Sequence, residues 1–211
     1  MSIFVNDLQK STTKMIINFS IQNFYSIKDK ITLSFEATSS TDLEAYYIIE
    51  PIPKLRLLKL GLIYGPNASG KTNVLLALEH LRNLVLEPFS KKTETFSLVP
   101  FLFDTETPHQ NTVFELSFVQ NKTKYDYRVE LNKQAIVSES LHFYQPRKAL
   151  VYSRTTDSEK QLTSIDFGSK IKINSEFKTI LEANTLWNNT VLGGFLKTNI
   201  EIPIFVEIME W

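Results

Sequence analysis

The chain has 211 residues, of which 43% are hydrophobic and 22% are charged, a balance that indicates a folded globular protein and excludes a disordered one. Its 23 Lys and Arg residues offset 23 Asp and Glu residues, so no overall positive field indicates a nucleic-acid partner. The absence of Cys excludes disulfides, thiolate metal sites and Cys nucleophiles, and the three His residues lie too far apart in sequence to predict a metal site.

Residues 1–14 are predicted to be a flexible extension that precedes the folded part. They are polar after the first five positions and lack the charged start and apolar run of a signal peptide. No later stretch approaches the ~20 consecutive apolar residues of a membrane span. The sequence therefore predicts a cytoplasmic protein with no membrane partner, whose fold occupies residues 15–211.

Two strands are predicted between Met15 and Ala37, on either side of a polar break at residues 26–30. Apolar and polar residues alternate in both strands, with apolar side chains at Ile17, Phe19 and Ile21 and then at Ile31, Leu33 and Phe35. Strict alternation places such side chains on one face of a strand. We therefore predict a β-hairpin with one buried face, followed by a turn-rich connection at residues 39–53 that contains two prolines.

A strand, a glycine-bearing loop and a helix are predicted next. Residues 57–64, with the sequence LLKLGLIY, form an apolar run that leads directly into the loop. Beyond the loop, apolar residues recur at helical spacing at Val74, Leu78, Leu81 and Val85, and Pro88 ends the pattern. Hairpin, strand, loop and helix together make up residues 15–88 of the predicted domain.

An antiparallel β meander is predicted for residues 112–154. Three segments with alternating apolar residues are separated by short polar turns, and a fourth segment follows Pro146. One face of this sheet is apolar, and the other carries Lys124, Asp126, Arg128 and Glu130. The pattern predicts a second lobe, followed by a loop at residues 157–174 and by short helices within residues 175–211.

The residues that carry chemistry form the phosphate-binding pattern GxxxxGK[ST], as Gly65-Pro66-Asn67-Ala68-Ser69-Gly70-Lys71-Thr72. Gly65 and Gly70 allow the loop to curl, so that successive backbone N–H groups point inward and form a nest for phosphate oxygens. The helix that follows adds the positive end of its dipole. Lys71 is expected to bridge the β and γ phosphates of ATP, and the Thr72 hydroxyl is expected to ligate Mg²⁺.

The predicted nucleotide-binding residues are therefore Gly65, Pro66, Asn67, Ala68, Ser69, Gly70, Lys71, Thr72 and Asn73, with ATP and Mg²⁺ as cofactors and Thr72 as the metal ligand. The alternative is an ordinary glycine turn. It would leave the Lys71 cation at a helix N-terminus, where the dipole disfavours a cation unless an anion is present. The strand before the loop and the helix after it favour the nucleotide site. No catalytic residue is assigned from the sequence.

Two other classes of P-loop protein lose support from the surrounding sequence. A GTPase needs a guanine-reading element such as Asn-Lys-x-Asp, whereas the nearest text, at residues 121–124, is Asn-Lys-Thr-Lys in a predicted hairpin turn. A small-molecule kinase usually begins with its P-loop and continues with alternating strands and helices. Here a hairpin precedes the loop and an antiparallel sheet follows it.

Several segments resemble a known group of ATPases. INFSIQNFYSI, ITLSF and LGLIYGPNASGKTNVLLAL are similar to the opening of ABC-type ATPases of the RecF, structural-maintenance-of-chromosomes and overcoming-lysogenization-defect group. VPFLFD, TVFELSF, YDYRVEL, AIVSESL and LVYSR resemble the meander of bacterial AAA-type ATP-binding proteins in that group, several of which serve in anti-phage defence. The resemblance implies an α/β P-loop NTPase fold for residues 15–211. This would be the N-terminal lobe of an ABC-type ATPase head, with an antiparallel β meander and C-terminal helices.

The same resemblance implies a composite active site. In such heads two ATP molecules lie between two P-loop faces, each completed by a signature motif of the opposite protomer, and a Walker B strand ending in Asp-Glu orients the attacking water. Leu192-Gly193-Gly194-Phe195 and Ile204-Phe205-Val206-Glu207 imitate these elements, but the signature Ser and the Walker B Asp are absent. The favoured interpretation is a glycine turn followed by a buried apolar segment. In this group the missing elements follow in a C-terminal half, so we expect the N-terminal portion of a longer protein.

Two details of the resemblance stay open. Many relatives carry Arg where this chain has Tyr25, whose ring either stacks on adenine or forms a partly buried hairpin tip. The glutamine that senses the γ-phosphate in the group cannot be assigned among Gln120, Gln134, Gln145 and Gln161.

Two functions from different classes remain. The first is an ATPase head that dimerises head to tail on Mg-ATP, hydrolyses it once completed, and drives a DNA-directed partner or a nuclease or toxin effector. The second is a scaffold that binds ATP without hydrolysis and assembles a partner protein. A phosphotransferase acting on a small acceptor is a weaker third interpretation. Lys122, Lys124 and Arg128 either contact a DNA backbone or belong to a solvated charged face.

Overall fold

The computed structural model describes residues 14–211, so most of the predicted N-terminal extension lies outside the described residues. The strands are β1 (Met15–Gln22), β2 (Ile31–Ser34), β3 (Ile48–Ile52), β4 (Leu55–Leu58), β5 (Thr112–Gln120), β6 (Thr123–Leu131), β7 (Ile136–Tyr144), β8 (Lys148–Asp157) and β9 (Leu162–Phe167). The helices are α1 (Glu44–Tyr47), α2 (Lys71–Leu86), α3 (Ser175–Asn184), α4 (Val191–Phe195) and α5 (Pro203–Met209), and a 3₁₀ turn covers Thr107–His109.

Seven of the described strands form one antiparallel sheet in the order β2-β1-β5-β6-β7-β8-β9. The predicted hairpin and meander are therefore both present and belong to one sheet, although Ile31, predicted to lie on the buried face of the hairpin, is exposed. β1 pairs on both sides, with Phe19 opposite Leu33 of β2 and opposite Leu116 of β5. Alternation reveals that a strand has a buried face but does not reveal which strand lies beside it.

The meander has a further strand, β9, in a segment that the sequence pattern predicts to be a loop. β9 pairs with β8 from Tyr152 opposite Phe167 to Asp157 opposite Leu162. Within β9 only Ile165 is buried. An edge strand with one buried side chain has almost no alternating apolar signal, which explains why the pattern missed it.

The main core lies between the sheet and the helices. Sheet residues such as Phe114, Tyr127 and Leu141 share one buried cluster with the helix residues Leu81 and Phe205. α2 confirms the predicted helix after the glycine-bearing loop, and the predicted helical segment contains the three short helices α3, α4 and α5. A smaller cluster joins β1 and β5 to the β3–β4 ribbon through Met15, Ile17, Leu57 and Val119.

The segment before the glycine-bearing loop differs from its prediction. β4 ends at Leu58, and residues 59–64 belong to no strand. Leu62 is 76% exposed and Tyr64 is 93% exposed. An apolar run becomes a buried strand only when neighbouring strands pair with it, and no described strand pairs with this segment. The connection at residues 39–53, predicted to consist of turns, also contains α1 and β3.

Within residues 14–211, none of the helices has the length and apolar character needed to cross a membrane.

Candidate nucleotide-binding site

The predicted phosphate-binding loop lies on the surface, between the end of β4 and the start of α2. Residues 65–69 are exposed, and Gly70 is the residue before the first turn of α2. Gly70 has a φ of 86°, a left-handed conformation that glycine adopts without steric cost, and Ala68 has a φ of 62°. The loop therefore has the tight local curvature that the motif requires at its junction with the helix.

Lys71 folds back over this loop. Its Nζ donates to the carbonyl oxygen of Gly65 at 2.9 Å and to that of Pro66 at 2.7 Å, and it lies 3.5 Å from the Oγ of Ser69. The cation is thus held at the concave side of the loop by neutral oxygens alone. Phosphate oxygens are stronger acceptors for an ammonium group than carbonyl oxygens, so the arrangement fits a polyphosphate.

The N-terminus of α2 is electrostatically suited to an anion. The 16-residue helix has no acidic residue in its first turn and no side chain that caps it. Its first backbone N–H groups have no partners within the helix, and its dipole places partial positive charge there. Thr72, the second residue of the helix, is exposed on this turn. These residues fit a nucleotide phosphate with Mg²⁺, with the Thr72 hydroxyl available as the protein ligand.

The hairpin tip between β1 and β2 lies against this site, a contact that no local sequence pattern predicts. The Asn73 side chain donates from Nδ2 to the Oγ of Ser26 at 2.7 Å. Tyr25, the neighbouring residue, is 38% exposed, and its ring packs edge-on against Phe24 with centroids 4.8 Å apart. The signal that could have identified this contact is the segment INFSIQNFYSI, which carries part of the resemblance and contains Ser26.

The two segments that imitate a signature motif and a Walker B strand lie in the helices α4 and α5. Gly193 and Gly194 lie in α4, all of whose residues are buried, and a Cβ on Gly194 would stand 2.2 Å from the Oγ1 of Thr185. The predicted glycine turn is therefore a buried helix. Residues 204–207 lie in α5, where the carboxylate of Glu207 accepts the hydroxyl of Tyr125 at 3.4 Å. Both segments contribute side chains to the main core, among them Leu192 and Phe205.

The pairing of the strands shows at which end or edge of the sheet each of the four candidate glutamines lies. The turn between β6 and β7, which contains Gln134, lies at the hairpin-tip end of the sheet, because Leu131 pairs with Thr112 and Val113 pairs with Gln22. Gln120 lies at the opposite end, and the Nε2 of Gln145 donates to Thr123 at that same end. Gln161 lies in the turn before β9, on the far edge of the sheet.

Two of the cations considered for DNA contact, Lys124 and Arg128, lie on the sheet, and both are paired with carboxylates. Arg128 donates to Glu130 at 2.9 Å and lies 3.6 Å from Glu115. Lys124 lies 3.8 Å from Asp126 and 4.8 Å from the centre of the Tyr144 ring. This pattern supports a solvated charged face, because such pairing lowers the field available to a phosphate backbone.

A groove of about 790 Å³ lies along α2 and the sheet. It is lined mainly by apolar side chains of α2 and of the sheet, among them Leu78, Phe118 and Trp211. No residue of the glycine-bearing loop lines it.

An exposed glycine-bearing loop, a lysine folded over it and an uncapped helix N-terminus define a P-loop nucleotide-binding protein. Residues 62–181, more than half of the chain, match the family described as an AAA domain, putative AbiEii toxin, Type IV TA system. The chain belongs to this family and is accordingly an ATPase-type protein with a P-loop NTPase fold. No curated protein matches the chain.

Proposed function

We propose that this chain is the ATP-binding part of an ATPase whose hydrolytic groups come from outside the described residues. Lys71 would contact the β and γ phosphates in place of the Gly65 and Pro66 carbonyls, and Thr72 would ligate Mg²⁺. One observation carries the proposal: the Lys71 cation lies at the N-terminus of α2, and the first turn of that helix contains no acidic residue. Without an anion, that arrangement opposes the helix dipole.

We propose further that two copies close head to tail on Mg-ATP. Large apolar side chains surround the loop, since Leu62, Tyr64 and Leu75 are 76%, 93% and 55% exposed. Exposed apolar side chains grouped around a functional loop are typical of an interaction surface. A second copy covering this surface would exclude water from the bound nucleotide.

The family description names a toxin and a Type IV TA system. We propose that the ATPase drives an effector protein there, of the nuclease or toxin class. The paired charges on the meander give no support to direct DNA binding, so the partner in this proposal is a protein.

Isothermal titration of the purified chain with Mg-ATP tests the site. Lys71→Ala should raise the Kd by about two orders of magnitude, because it removes a charge-assisted contact to phosphate. Lys172→Ala, which removes an exposed lysine far along the chain, is the matched control and should bind as the wild type does. Equal affinity of Lys71→Ala and wild type would show that the nucleotide site is elsewhere.

The composite site is tested by hydrolysis and by sedimentation. The wild-type chain alone should release phosphate from ATP no faster than Lys71→Ala does. Mg-ATP should increase the sedimentation coefficient of the wild-type chain, because the chain forms a dimer. Efficient turnover by the chain alone would contradict the proposal that groups are missing. The scaffold alternative is favoured if ATP binds and recruits a partner while hydrolysis remains absent in the assembled complex.

A further inference from the structure

The tip of the β1–β2 hairpin is a tight turn with an unusual backbone. Phe24 and Ile27 exchange backbone hydrogen bonds of 2.8 and 2.9 Å across Tyr25 and Ser26. Tyr25 has a φ of 50°, and Asn23 has a φ of 55°. Hairpin turns of this length favour glycine where φ is positive, and a tyrosine there is strained. Such strain persists only where the surroundings hold the conformation, and it is common at functional sites.

Asn23 holds the tip from one side. It is 1% exposed, and its Nδ2 donates to the carbonyl oxygens of Thr107 and Gln110, both at 2.9 Å. Its Oδ1 accepts the N–H of Phe101 at 2.8 Å. The N–H of Tyr25 donates to the carbonyl of Val99, also at 2.8 Å. The turn is thereby fixed to the loop that precedes β5.

Ser26 is the side chain that this fixed turn presents to α2. Its Oγ accepts Asn73 Nδ2 at 2.7 Å and lies 3.0 Å from the position that a Cβ on Gly70 would occupy. Two turns further along α2, the ring of His80 packs against Phe24 with centroids 5.8 Å apart. Burial lowers the pKa of His80, which keeps this ring neutral and suited to aromatic packing. The helix is thus held to the hairpin at two points.

We propose that Ser26 is a positioning residue of the nucleotide site, which acts through Asn73 to fix the first turn of α2. This inference rests on the proposed function. Lys71 and Thr72 are the first two residues of that turn, and Asn73 is the third. Holding Asn73 sets the direction of the turn, and with it the orientation of the Lys71 amine, the Thr72 hydroxyl and the first backbone N–H groups of the helix. Ser26 itself does not contact the phosphate.

The test is a double-mutant cycle read as the Kd for Mg-ATP. Ser26→Ala and Asn73→Ala should each weaken binding about fivefold, which corresponds to the loss of one ordinary hydrogen bond. The double variant should be no weaker than the single ones, because both remove the same interaction. Ser26→Thr, which keeps the hydroxyl, should restore the wild-type Kd. Ser164→Ala, at an exposed position on β9, is the matched control.

The melting temperature without nucleotide separates positioning from general stability, and Ser26→Ala should lower it by no more than about 2–4 °C, the shift expected for one exposed hydrogen bond. Wild-type affinity for Mg-ATP in Ser26→Ala, or additive losses of affinity in the double variant, would overturn the inference. The proposed function would still stand if Lys71→Ala binds Mg-ATP weakly. If Lys71→Ala binds Mg-ATP normally, the proposed function fails and this inference fails with it.

Discussion

Tyr152 donates its hydroxyl to the carboxylate of Glu139 at 2.6 Å, with both residues buried inside the sheet. Tyr127 donates to the same Oε1 at 3.0 Å, and the N–H of Val191, the first residue of α4, donates to Oε2 at 2.8 Å. Burial raises the pKa of Glu139, and the nearby Arg154 opposes that shift. Burial also lowers the pKa of Arg154 to about 10, and the nearby Glu139 carboxylate opposes that shift. This carboxylate connects two strands to a helix.

Glu139→Ala should destabilise the protein by about 3–5 kcal/mol, because it leaves two phenols and one N–H group without their acceptor and removes the buried charge that offsets Arg154. Urea denaturation followed by circular dichroism measures the change. Glu159→Ala is the control, since Glu159 is exposed and should cost less than about 0.5 kcal/mol. Similar urea midpoints for Glu139→Ala and Glu159→Ala would show that the hydrogen bonds of Glu139 contribute little to stability.

The ion pair between Lys28 and Asp104 should make stability fall in acid. The Lys28 hydrogen bond, supported by the N–H groups of Thr107 and Glu106, holds the pKa of Asp104 well below its usual range. Because the folded pKa is depressed, this contribution is present above the unfolded value of about 3.9 and is lost as the pH falls below it.

Wild type should therefore be more stable than Asp104→Asn at pH 7, and the difference should shrink in titrations carried out below about pH 4. Asp29→Asn is the matched control, because Asp29 is an exposed acid beside Lys28. A difference that does not change with pH would exclude this ion pair as the cause.

Gly194→Ala should destabilise the protein by about 1–3 kcal/mol, because overpacking a close contact costs that much. The new Cβ would stand 2.9 Å from the Cβ and 3.0 Å from the Cα of Thr185, so the backbone itself must move. At Gly61 the nearest atom is a ring carbon of Phe35 at 3.0 Å, and a side chain can shift. In thermal denaturation, Gly194→Ala should therefore have a clearly lower melting temperature than Gly61→Ala. The reverse order would reopen the signature-like interpretation of α4.

Thr72→Ala should mainly reduce the effect of Mg²⁺ on ATP binding, because it removes the proposed protein ligand while Lys71 remains. Calorimetric titrations with Mg²⁺ and with EDTA give that effect as the ratio of two Kd values. The ratio should be smaller in Thr72→Ala than in wild type and preserved in Thr72→Ser, which keeps the hydroxyl. An unchanged ratio in Thr72→Ala would remove Thr72 from the metal site.

Residues with a strong periodic or motif signal were predictable from the sequence. The helix that starts at Lys71, the hairpin and the strands of the meander follow directly from local patterns. The pairing of β1 with β5 joins residues almost a hundred positions apart, and no local pattern encodes it. The Ser26 to Asn73 contact was missed for the same reason, since it depends on how the hairpin packs on α2.

The exposed run from Leu60 to Tyr64 also affects how the protein behaves in solution. Apolar, strand-forming residues without pairing partners readily associate with the same residues of another molecule. We expect the purified chain to self-associate at high concentration unless this run is covered. Light scattering should show slower aggregation of Leu62→Lys than of wild type, and soluble yield during preparation should improve accordingly.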